Sequence, residues 1–142
     1  MPRVALWFFA VAPIYVLIGM GFGIYMGASM DFTLAPAHAH LNLIGWVTMA
    51  LYGTFFALAP AASTKLAWAV FWLNNIAICI MFPSLAMVLS YGEASNFVLP
   101  LIVSEFLAFA GMASFIVAVW SVLLKNSGTR SGKLASRPSP AE

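Results

Sequence analysis

The sequence predicts an all-α integral membrane protein: a four-transmembrane-helix up-down bundle with both termini cytoplasmic. Three observations predict it. Hydrophobic side chains make up 63% of the 142 residues and charged ones 7%, too few charges to coat a water-soluble domain. Four stretches reach the roughly 20 apolar residues needed to cross a hydrocarbon core as a helix. They run near Val4–Gly27, Ala37–Ala59, Leu66–Ser90 and Phe97–Leu124. All six basic residues (Arg3, Lys65, Lys125, Arg130, Lys133 and Arg137) fall at the N-terminus, the second connection or the C-terminal tail. Those places share one side of a four-span chain, which the positive-inside rule makes cytoplasmic, so Asp31 and Glu93 in the first and third connections face outward.

The first span is expected to be retained. Ala35-Pro36-Ala37 has the look of a small-residue cleavage site, but the preceding apolar run exceeds the usual signal-peptide core. Gly19, Gly23 and Gly27 recur every four residues, with Gly21 between them, a stripe that admits close approach of another helix or of a flat ligand. The connection Ala28–Pro36 places Pro36 in the first turn of the second span, where a missing N–H costs nothing. Pro60–Lys65 and Tyr91–Asn96 carry the turn chemistry of the other connections. Pro13 and Pro83 are expected to bend the first and third spans.

The third span holds Asn74, Asn75 and the lone cysteine, Cys79, which has no intrachain disulfide partner and reads as packing material. After a membrane domain over residues 1–125, the tail Asn126–Glu142 is rich in Ser, Gly, Pro and basic residues. It is expected to be a disordered cytoplasmic end with some attraction to anionic lipid. A net charge of +2 in so apolar a chain carries no sign of a nucleic-acid partner.

Function is concentrated at the start of the second span, where the only two histidines, His38 and His40, stand. Polar and ionisable groups at membrane depth are costly, so a pair of potential ligands there points to a site. The plain alternative is two interfacial imidazoles that bond headgroups, water or loop carbonyls. Residues two apart lie about 200° from each other around a helix, so the pair cannot share one ion or clamp one macrocycle. The face of His38 continues through Asn42, Gly45, Met49 and Gly53, small or polar; that of His40 continues through Leu43, Ile44, Val47 and Leu51, aliphatic.

The segment His38-Ala39-His40-Leu41-Asn42-Leu43-Ile44-Gly45-Trp46 resembles the His-x-His helix of haem-copper oxidase catalytic subunits, in particular the cbb3-type and nitric-oxide-reductase branch. That family builds its catalytic subunit from three arcs of four helices, with histidines on the second helix of each. The chain is similar to one such arc. The resemblance implies that His38 faces a high-spin haem and His40 a low-spin haem. It also implies a homo-oligomer, a trimer by preference, with b-type haem held between the second helices of neighbouring copies. Asn42, Gly45 and Met49 would border the cofactor. One chain lacks the additional histidines of a haem-copper centre, so electron transfer or gas sensing is expected rather than oxygen reduction, and whether it is an enzyme stays open. A redox partner on the outer face and a bacterial inner-membrane location follow from the same resemblance.

Two other readings stand beside it. The outward pair His38 and His40 can instead be read as a copper or zinc site near the outer rim, histidine with methionine being suited to copper. An accessory subunit of a respiratory complex would use the glycine stripe as an interface. Glu105 lies about 13 Å along the fourth span at 1.5 Å per residue, at a depth similar to Asn74 and Asn75. It is expected either to be a protonated carboxyl in a network with those amides and Ser104, or to handle a proton beside a cofactor.

Overall fold

The computed structural model describes residues 1–59, 61–92 and 96–135, with side chains through residue 125. Its helices are α1 (Arg3–Ser29), α2 (Ala35–Leu58), α3 (Thr64–Tyr91) and α4 (Val98–Ala135). Four helices are long and apolar enough to cross a membrane, and no strand occurs among the described residues. Their ends lie within a few residues of those expected, apart from the C-terminus of α4. There the backbone stays helical through Ala135 where disorder is expected from Asn126. Extending a formed helix adds a hydrogen bond for each residue fixed without a new nucleus, so a polar sequence can still continue one. Residues 136–142 of the expected tail, and Glu93, lie outside the described residues.

Each helix is apolar all round, so hydrophobicity alone does not select its buried face; the placement of small residues does. Along the antiparallel pair α1 and α2, a glycine on one helix repeatedly meets bulk on the other. A Cβ on Gly23 would lie 3.2 Å from His38 Cε1, and one on Gly19 would overlap Asn42 Oδ1. Further along, the glycines change helix: a Cβ on Gly45 would lie 2.9 Å from Tyr15 Cβ, and one on Gly53 2.8 Å from Phe8 Cβ.

The α3–α4 pair uses the same device. Ser104, Gly111 and Ala118 are the buried residues of α4 between Val98 and Lys125, seven apart, and Gly111 leaves room for the Asn74 side chain. Lys125 Nζ donates to Ala61 O at 3.1 Å, fastening α4 to the second connection.

The two pairs join through aromatic side chains. Phe8 meets Phe71 edge-on with centroids 5.1 Å apart and stacks on Phe56 at 5.9 Å, and Tyr52 packs on Phe115 at 4.4 Å. This cluster, with Val4, Met49, Val70 and Ala118, fills the end of the bundle that holds the N-terminus. The opposite end has a smaller core of Tyr15, Leu41 and Ile78.

The first connection is a local turn. Asp31 Oδ1 accepts from the Thr33 hydroxyl at 2.6 Å and from Thr33 N–H at 2.9 Å, and these bonds hold its carboxyl below the usual carboxylate range. α1 ends in Met30, whose φ of 54° is left-handed, as helix C-caps often are.

Gly53→Ala is expected to destabilise the fold by about 1–3 kcal/mol through overpacking against Phe8. Gly21→Ala, with nothing within 4 Å of the added carbon, should stay within about 0.5 kcal/mol of the parent. Denaturation in a mixed detergent measures both. Because the Asp31 carboxyl is favoured ionised by folding, the turn's contribution is present above the unfolded carboxylate range and is lost as pH falls below about 4. A carboxyl titration followed by NMR reads it directly.

Candidate functional site

The two histidines open α2, and the backbone beneath them is unusual. Residues Ala35–His40 and Met49–Leu58 are α-helical, whereas Leu41–Thr48 are wound as a π-helix. Such i→i+5 winding is rare and occurs often at functional sites. Nothing in the residue types of Leu41–Thr48 announces it.

His38 points into the α1–α2 seam and is half-buried. Its Nδ1 lies 2.9 Å from Gly19 O, and a carbonyl can only accept, so Nδ1 carries the hydrogen. The lone pair is then on Nε2, where Asn42 Nδ2 donates at 3.0 Å. Glycine makes this seat possible: Gly23 and Gly19 leave the width that the imidazole and the Asn42 amide occupy.

His40 points the other way and is exposed. Its Nδ1 donates to Pro36 O, one turn back, at 2.8 Å, which leaves the Nε2 lone pair facing out of the chain. Leu43, Val47 and Leu51 continue the exposed face, while Asn42, Gly45, Met49 and Gly53 turn inward. The opposed directions expected from the spacing are therefore present.

Both imidazoles bond a backbone carbonyl through Nδ1. This arrangement fixes the tautomer and leaves the lone pair on Nε2, and metal-ligating histidines commonly have it. His40 can accept a haem iron or another imidazole-binding metal as it stands; at His38 the Asn42 amide occupies the lone pair. Among the described residues, no three His, Cys, Asp or Glu side chains gather as a metal-holding group.

The remaining sequence candidates are dispersed. Gly45 is the gap that Tyr15 fills, and Met49 is fully buried in the aromatic core. Glu105 does not join Asn74, Asn75 and Ser104 in a network, the first of its two expected roles. It is exposed on α4, beside Phe106 and Phe109. The reason is rotational: the seam of α4 runs through Ser104, Gly111 and Ala118, and the next residue after Ser104 turns about 100° away from it. The buried groups bond locally instead. Asn74 Nδ2 donates to Val70 O at 2.9 Å, Asn75 Nδ2 to Phe71 O at 2.8 Å, and the Ser104 hydroxyl to Leu101 O at 2.6 Å.

Tyr15 supplies a connection that sequence reasoning missed. Its hydroxyl donates to Asn75 Oδ1 at 2.8 Å and lies 3.4 Å from Cys79 Sγ. With that hydrogen committed to Asn75, the thiol is the donor in the second contact. Cys79 is exposed rather than packed, on the edge of a groove of about 520 Å³ lined by Trp7, Trp68 and Trp72. The clue available in the sequence was that these tryptophans fall near the starts of the first and third spans, which begin on the same side.

No family model, curated protein or solved structure matches the chain.

His38→Ala is expected to destabilise the fold by about 1–3 kcal/mol, since it removes a seam-filling ring and leaves Asn42 without its acceptor. His40→Ala should change stability by less than about 0.5 kcal/mol, as its ring touches little of the chain. Parallel thermal unfolding of both variants in detergent compares them.

Proposed function

We propose that the chain is a small integral-membrane b-type haem protein related to haem-copper oxidase catalytic subunits, which transfers single electrons or senses a diatomic gas. In this reading it resides in a bacterial inner membrane as a homo-oligomer, preferably a trimer, with termini cytoplasmic and histidines near the outer face. His38 of one copy and His40 of the next would hold each haem. The observation that carries it is His40: a ligand nitrogen set by the Pro36 carbonyl and exposed at the surface, which leaves it open to a second molecule.

Bound haem would supply a one-electron Fe(III)/Fe(II) couple, and ligation by two histidines would suit electron transfer better than gas binding. The residues do the holding. Gly19 O and Pro36 O orient the two imidazoles, and the exposed aliphatic face of Leu43, Val47 and Leu51 gives a large apolar ligand or a second copy a surface free of competing polar groups. Support for the sidedness comes from the segregation of charge. Lys125 bonds the second connection at the end shared with Arg3, and Asp31 lies in a connection at the other end.

The protein purified in detergent from haem-replete cells should be red, with a sharp Soret band and split bands on reduction. A colourless protein that takes up no added haem would sink the reading. His38→Ala and His40→Ala should each convert the low-spin spectrum to high-spin or lose the cofactor; unchanged spectra in both would remove them as ligands. Mass measurement in detergent should give an oligomer, and haem-bearing monomers would exclude sharing between copies.

A further inference from the structure

His38 and His40 share a tautomer but differ in what their ligand nitrogens meet. One turn beyond His40 stands Ile44, which offers no polar atom; one turn beyond His38 stands Asn42, whose Nδ2 donates to Nε2 at 3.0 Å. An imidazole Nε2 has one lone pair, and a lone pair that accepts this hydrogen cannot also bind a metal. The Asn42 amide is itself incompletely satisfied: its Oδ1 is buried without a hydrogen-bond partner. Its position depends on Gly19, since a Cβ there would overlap that oxygen.

We infer that Asn42 is a latch on His38, which must swing aside before His38 takes an iron. The inference rests on the haem reading only for the identity of the incoming group. The closed state is cheap to leave, because opening breaks one hydrogen bond and frees an orphaned buried oxygen to find a partner. His40 has no such latch. On the haem reading His40 would therefore be the readier ligand and His38 the slower one, and Asn42 would set how readily His38 ligates. Asn42 is accordingly a positioning residue that opposes ligation.

Chemical modification tests the latch without any haem. Diethyl pyrocarbonate acylates an imidazole through a free nitrogen lone pair, and peptide mass spectrometry separates its products at the two residues. In the ligand-free wild-type chain, His40 should react and His38 should lag by about fivefold to tenfold, the factor set by one net hydrogen bond. In Asn42→Leu, and in Asn42→Ala should the larger side chain misfold, that lag should shrink by the same factor. Equal reactivity in the wild type, or a His38 that stays protected in a folded Asn42 variant, overturns the latch.

Haemin titration by absorbance then links the latch to the cofactor. Asn42→Leu should bind about fivefold to tenfold more tightly than the wild type. Equal or weaker binding by the variant overturns the inference and makes Asn42 a support for His38. If neither protein binds haemin, the haem reading fails and the modification rates still decide the latch.

Discussion

The close approach of α1 and α2 is the constraint on which the rest depends. In lipid, two apolar helices gain little from hiding from solvent, so they associate through fit and through hydrogen bonds that the hydrocarbon cannot supply. Here the fit alternates: bulk on α2 against glycine on α1 near the histidines, bulk on α1 against glycine on α2 near the N-terminus. With Gly19 and Gly23 bare, the imidazole of His38 reaches a backbone carbonyl of the neighbouring helix. That single contact fixes a tautomer, aligns Asn42 and leaves His40, two residues on, directed away from the chain.

The bundle is unevenly filled. Phe8, Phe56, Phe71 and Phe115 lock four helices together at one end, whereas α4 leans chiefly on α3 and presents Phe106 and Phe109 outward, 71% and 75% exposed. In water such exposure would mark a liability. Against acyl chains it is ordinary, and the informative exposed groups are the polar ones, His40 and Glu105. A carboxyl on the outer face of α4 cannot share the buried amides from which the α4 seam turns it away.

The site was legible in part. The His-x-His spacing was enough to set the two rings on opposite faces, and the order of residues along α2 separated an aliphatic face from a small one. What it left open was the use of the small face. Gly45, Met49 and Gly53 can line a cofactor groove or seat a helix, and they seat α1, because Tyr15 and Phe8 stand at the matching levels. Likewise Asn74, Asn75 and Glu105 share a depth, but depth is set by residue count and azimuth by packing, so only two of the three are buried.

By itself the sequence determined the number of long apolar helices, their approximate limits and the segregation of charge, all of which follow from local composition and from the helical length that a hydrocarbon core of about 30 Å requires. It also determined that the two histidines diverge, since helical periodicity is a property of a single segment. Only the tertiary structure decided which face of each helix is buried, that α2 winds as a π-helix over Leu41–Thr48, and which hydrogen bond each imidazole makes. Those outcomes depend on contacts between residues far apart in the chain, as between Gly19 and His38, and a uniformly apolar sequence carries no local trace of them.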